Sequence, residues 1–119
     1  MRERTDDEED DVIVALHSRL LEGHEHDYDR DHARVPDDLA EAFARHGIRD
    51  WRIWRDGLDV FHLVECDDFV AAMTAMGEEP ANEAWQGVID RHVKGFSGDG
   101  TDFSSWGLRH VFSLSDQTA

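Results

Sequence analysis

"IRDWRIWRDGLDVFHLVEC", residues 48–66, decides the fold. Two runs rich in β-branched and aromatic residues flank Asp56-Gly57, a dipeptide suited to the positive φ of a tight hairpin turn. Residues 48–55 and 58–66 therefore read as antiparallel strands. Side chains alternate along them: Trp51 and Ile53 share one face and Trp54 takes the other. In the second run Phe61 and Leu63 oppose Val60, His62 and Val64. Large apolar residues point both ways, and such a sheet needs a cover on each side.

Working outward, "VIVALHSRL" (12–20) reads as a first strand. Residues 25–33 have helical composition after Gly23. Pro36 suits the first turn of a helix, with Asp37 and Asp38 at its positive end. "DDLAEAFARHG" puts Leu39, Ala42, Phe43 and His46 on one face and stops at Gly47. Beyond the hairpin, 67–77 reads as a short helix capped by Asp67 or Asp68, and 79–93 as a helix starting near Pro80. Residues 94–107 hold four glycines and read as a loop, and "LRHVFSLS" (108–115) alternates as a last strand. The order β-α-β-β-α-β predicts an α+β, ferredoxin-like domain: a four-stranded antiparallel sheet with helices on one face. A second copy packed sheet to sheet is the simplest cover for the other face, so a homodimer is expected.

The chain has 119 residues, enough for one domain and a small pocket. Its 28 acids against 12 bases give a formal charge of −16, and Lys94 is the only lysine. That balance disfavours nucleic acid and anionic membrane, which need clustered cations. Salt adaptation and drift in a GC-rich genome are equal explanations of the acidity. Cys66 stands alone, so neither an internal disulfide nor a cysteine-based zinc site is available. No apolar run approaches a membrane span, and "MRERTDDEEDD" (1–11) has no apolar core of a secretion signal. A cytoplasmic address is expected. Residues 1–11 read as an acidic disordered tail, and 12–119 as the single domain.

"HEHDYDRDHARVP" (24–36) holds the candidate chemistry. His24 and His26 lie two apart, off any shared helical face, and read as solvated residues; no metal site is expected from that spacing. Tyr28 and His32, at i and i+4, do share a face, turned toward the strand that carries Trp51. Two readings stand: a Tyr and a His packed on a strand with their polar tips satisfied, or the polar centre of a pocket. Trp85, set in polar "NEAWQ" (82–86), suits a pocket wall for an amphipathic ligand. A His and a Tyr among indoles resemble a carbohydrate site, where rings stack on sugar C–H faces and imidazole exchanges protons near neutral pH.

"HDYDRDHARVPDDLAEAFARHGIRDWRIWR" (26–55), "LDVFHLVECDDF" (58–69), "NEAWQ" and "LRHVFSL" (108–114) together resemble the L-rhamnose mutarotase family, over Val12 to about Leu114. The resemblance implies a dimeric α/β-barrel fold and a mutarotase that acts on L-rhamnose or a related 6-deoxy aldose, without metal or cofactor. It carries the family's proton-donating histidine onto His32. Substrate contacts fall on Tyr28 and on Trp51, where the family has a second tyrosine. A Trp-Trp pair falls on Trp85 and Gln86. Trp51 keeps an aromatic face but can only donate a hydrogen bond, and Gln86 replaces a ring by an amide.

Interconverting anomers requires ring opening and closure, with one proton leaving the anomeric hydroxyl and one reaching the ring oxygen. His32 is expected as the donor to the ring oxygen, its charged form favoured by the negative pole of a helix end. Tyr28, a water or a nearby acid are candidate bases, with Asp29 and Asp31 pointing elsewhere. Two other functions compete: a cofactor-free oxygenase on the same architecture, and a dimeric ligand-binding or stress module in which Tyr28 and His32 only pack.

Overall fold

The computed structural model describes residues 12–98 and 102–118. Its elements are β1 (Val12–Leu20), α1 (Glu25–Asp31), α2 (Asp37–Arg45), β2 (Ile48–Asp56), β3 (Asp59–Cys66), α3 (Phe69–Met76), α4 (Pro80–Ile89) and β4 (Val93–Phe96); a 3-10 turn (Phe103–Ser105) and a short helix, α5 (Leu114–Thr118), follow. The sheet order is β2-β3-β1-β4, and every pair of neighbours is antiparallel. This is the four-stranded α+β arrangement expected from the hairpin. The acidic tail expected over 1–11 lies outside the described residues.

Local chemistry accounts for the element ends. Asp68 caps α3 by accepting from the Ala71 N–H. Pro80 opens α4, where its missing N–H costs nothing. Pro36 precedes α2 rather than sitting in its first turn, in extended conformation (φ −58°, ψ 145°), and Asp37 and Asp38 follow at the positive helix end. After α2, Gly47 adopts φ +83°, a left-handed backbone that favours glycine, with the Asp67 carboxylate packed against it. Helix α1 ends at Asp31, two residues short of the expected 33.

The alternation read from sequence holds. Leu16, Ser18, Leu20, Val60, His62 and Val64 are buried on the helix-covered face. Leu39 and Ala42 of α2, Ala72 and Met76 of α3, and Ile89 of α4 close that core. Each fully buried aliphatic side chain contributes about 1.5–3 kcal/mol. A register shift between Ile48 and Asp50 adds one residue to β2. Strict alternation would align Ile48 with Asp50 and Trp54; the bulge turns Ile48 into the core, 5% exposed, while Trp51 still faces the helices.

The last strand departs from the expectation. β4 is Val93–Phe96, within the segment read as the end of a helix and a glycine loop. It pairs with Ser18–Leu20 of β1. Residues 108–113 form no strand: Leu108 donates one backbone hydrogen bond to Ala15, and the chain then runs exposed into α5. Alternation at 108–115 is real, but a strand also needs a neighbour to pair with, and among the described residues this segment makes one backbone bond of that kind, from Leu108 to Ala15.

Candidate functional site

Helices α1 and α4 and the covered face of β2 and β3 enclose a cavity of about 760 Å³. Tyr28, His32, Trp51, Trp85 and Gln86 all line it. All five residues proposed from sequence therefore meet in one place, within the size range of small-molecule pockets.

His32 is the residue that closes α1, and its ring is held from three sides. Nδ1 donates to the Tyr28 carbonyl at 3.0 Å. The Tyr28 ring lies 4.1 Å away, tilted, and Trp85 meets the imidazole edge-on at 5.1 Å. A carbonyl only accepts, so Nδ1 carries the proton and Nε2 is the nitrogen available for transfer. Burial pulls the His32 pKa below its usual value and outweighs the raising effects of the Tyr28 carbonyl and of Asp31. The resting imidazole is thus biased toward neutrality, against the charged form expected from its place at a helix end.

Tyr28 is 3% exposed, packed with Leu20, Val60 and Ile89. Burial, with the Asp29 charge adding to it, raises its phenol pKa, so it stays protonated and can donate. Of the candidate bases, Asp29 is clamped by Arg55, whose Nε and Nη2 donate at 2.8 and 2.6 Å. Asp31 accepts from His92 Nε2 at 2.9 Å and from Arg30. Neither carboxylate lines the cavity.

Trp51 is half-buried and packs on Phe43. Its indole N–H donates to Nδ1 of His62 at 3.1 Å. His62 in turn bonds the Ser18 hydroxyl through Nε2 at 2.9 Å. Trp51 therefore offers the cavity its ring face alone, its single donor being engaged. Burial, reinforced by His32 and His17 nearby, drops the His62 pKa to about 4. Gln86 is exposed, and its amide nitrogen reaches Asn82 at 3.4 Å.

Sequence reasoning overlooked His62 as a cavity residue. The signal was available, since strand parity places it opposite Ile53 on the helix-facing side. His24 was also misjudged: it is partly buried and bonded through Nδ1 to Nδ1 of His92 at 3.0 Å, whereas His26 is exposed. Their partner lies 68 positions away, beyond the reach of local spacing.

Fold and site together define a ferredoxin-like α+β domain with a metabolite-sized pocket built from aromatic rings and two imidazoles, His32 and His62. The L-rhamnose mutarotase family matches residues 13–114, and the chain belongs to that family, whose members are anomer-interconverting isomerases. The fold is similar to the crystal structure of L-rhamnose mutarotase FA22100 from Formosa agariphila, with a TM-score of 0.65 and 14% identity over 87% of this chain and 98% of that one. No match is found among curated proteins. Among the described residues, no helix is long and apolar enough to cross a membrane.

Proposed function

We propose that this protein catalyses anomer exchange of L-rhamnose, or of a closely related 6-deoxy aldose, in the cytoplasm, with His32 as the proton-transferring residue. The observation that carries the reading is the His32 ring, its Nδ1 committed to a carbonyl, set between Tyr28 and Trp85 on the wall of the cavity.

Nε2 of neutral His32 takes the proton of the anomeric hydroxyl. The O1–C1 bond becomes a carbonyl, the C1–ring-oxygen bond breaks, and the ring oxygen receives the proton from the imidazolium. Both oxygens are bonded to C1, so one nitrogen can serve both. After rotation about C1–C2 the hydroxyl adds to the other face of the carbonyl, with the transfers reversed. His32 is then the donor to the ring oxygen, loaded by the substrate itself, and no second base is required. The engagement of Asp29 and Asp31 elsewhere supports that economy. Trp51 and Trp85 stack on the apolar sugar faces, Tyr28 donates from its buried phenol, and Gln86 reads a hydroxyl at the rim. Acid–base help of about 10²–10⁴-fold per group is ample for a reaction that proceeds slowly on its own.

A second copy of the chain covers the open sheet face in this reading. Trp54 and Phe61, paired across the hairpin, are 53% and 43% exposed there, and Ile13 is 59% exposed. Val111, Phe112 and Leu114 extend the apolar surface along the C-terminal arm. The activity is tested by NMR saturation transfer between the L-rhamnose anomers. Exchange well above the buffer rate is expected with catalytic amounts of protein, and an unchanged rate for L-rhamnose and other 6-deoxy aldoses rejects the assignment.

A further inference from the structure

Outside the cavity, His24, Asp27 and His92 bring one ligand atom each to within 4.8 Å of one another. We infer that this trio is a binding site for a divalent transition ion of the zinc class, fastening α1 to the turn between α4 and β4. None of the three lines the sugar-sized cavity, and the inference stands apart from the sugar assignment.

His92 is 3% exposed, and its orientation is fixed from behind. Asp31 can only accept from His92 Nε2, at 2.9 Å, so that nitrogen carries the proton and Nδ1 presents its lone pair. Nδ1 of His92 points at Nδ1 of His24, 3.0 Å away. Two imidazole nitrogens about 3.3 Å apart are what a four-coordinate ion with metal–nitrogen bonds of about 2.0–2.1 Å requires. Asp27, one helical turn on from His24, supplies the carboxylate. A carboxylate behind a ligating histidine is the usual outer partner in zinc sites, and Asp31 already occupies that place. Two imidazoles and one carboxylate suit Zn²⁺ and its neighbours, with a fourth position left for water.

In the metal-free chain the His24 Nδ1–H donates to His92. On binding, the metal takes both Nδ1 lone pairs, and the His24 proton moves to its own Nε2 through solvent, so no net charge is lost from the imidazoles. Arg30 holds one oxygen of Asp27 at 3.2 Å, but it is a largely exposed side chain and gives way at little cost. The bound ion would tie the start of α1, which carries Tyr28 and is closed by His32, to the end of α4, which carries Trp85. It would therefore stiffen two walls of the cavity without touching its contents.

The test uses the full-length chain, freed of metal by a chelator and titrated with Zn²⁺ by calorimetry and with Co²⁺ by visible absorption. One ion per chain is expected, with the strong visible bands of four-coordinate Co²⁺ and a raised Tm. His24→Ala and Asp27→Asn should each abolish the bands while leaving circular dichroism unchanged. Asp31→Asn should weaken binding by about 10- to 100-fold. His26→Ala, in the same segment but outside the trio, should bind as the native chain does. Absence of saturable binding, binding that survives both His24→Ala and Asp27→Asn, or loss on His26→Ala would each overturn the inference. His92→Ala is the less useful variant because its buried ring also packs.

Discussion

The indole N–H of Trp51 donates to Nδ1 of His62, and that bond fixes the protonation of a buried imidazole on the cavity wall. An indole only donates, so Nδ1 must accept, and the proton of neutral His62 sits on Nε2 toward Ser18. Charging His62 would break the Trp51 bond and place a cation in the core. Its pKa falls from 6.5 to about 4.

A folded-state pKa below the unfolded value means that the unfolded chain binds the proton first as pH falls. The stability is fully present above pH 6.5 and is lost between pH 6.5 and about 4. The gap corresponds to about 3 kcal/mol. His32, shifted in the same direction by burial, adds to the loss. Urea unfolding across this interval should show a falling midpoint, and the His62 carbon and nitrogen shifts should stay those of a neutral ring at pH 5.5.

Trp51→Phe keeps a ring on the cavity wall and removes the donor to His62. The orphaned Nδ1 should cost about 1–3 kcal/mol of stability. Because the ring face remains, sugar stacking should change less than stability does. The comparison is between the urea midpoint and the KM for anomer exchange; a large rise in KM with unaltered stability would show that the N–H reads the substrate instead.

Asp29 binds both Nε and Nη2 of Arg55 on the outer side of α1. Asp29→Asn should leave the exchange rate as it is, since the carboxylate does not reach the cavity. A rate falling in parallel with loss of the carboxylate would make Asp29 a second base and overturn the single-residue scheme.

The open sheet face predicts an assembly. Sedimentation of the native chain should give the mass of two copies, and Phe61→Asp, a charge placed beside Trp54 on the exposed face, should give one copy with native circular dichroism. A native chain that sediments as a monomer at micromolar concentration would remove the second copy from the account.

Much of this was legible in the sequence because the deciding signals were local. The Asp56-Gly57 turn and the alternation on either side gave β2 and β3, and the spacing of Tyr28 and His32 put them on one face. The strand Val93–Phe96 was hidden because four residues containing Lys94 and Gly95 carry almost no alternation; β1, not its own sequence, makes it a strand. Residues 108–115 show the converse, a good pattern with one backbone bond to the sheet among the described residues. The bulge at Ile48–Asp50 and the meeting of His24 with His92 arise from packing between distant segments, and short-range periodicity is blind to both. The helix-end position of His32 was legible, but its burial, which pulls the imidazole pKa down, was not.

The most direct measurement is the anomer exchange rate of L-rhamnose for His32→Ala against the native chain, taken from pH 5 to 8. The native rate should be level where the imidazole is neutral and fall toward the acid end. The variant, folded as judged by circular dichroism, should lose about 10²–10⁴-fold and with it the pH dependence. A folded variant that exchanges anomers at the native rate would show that the proton moves through some other group.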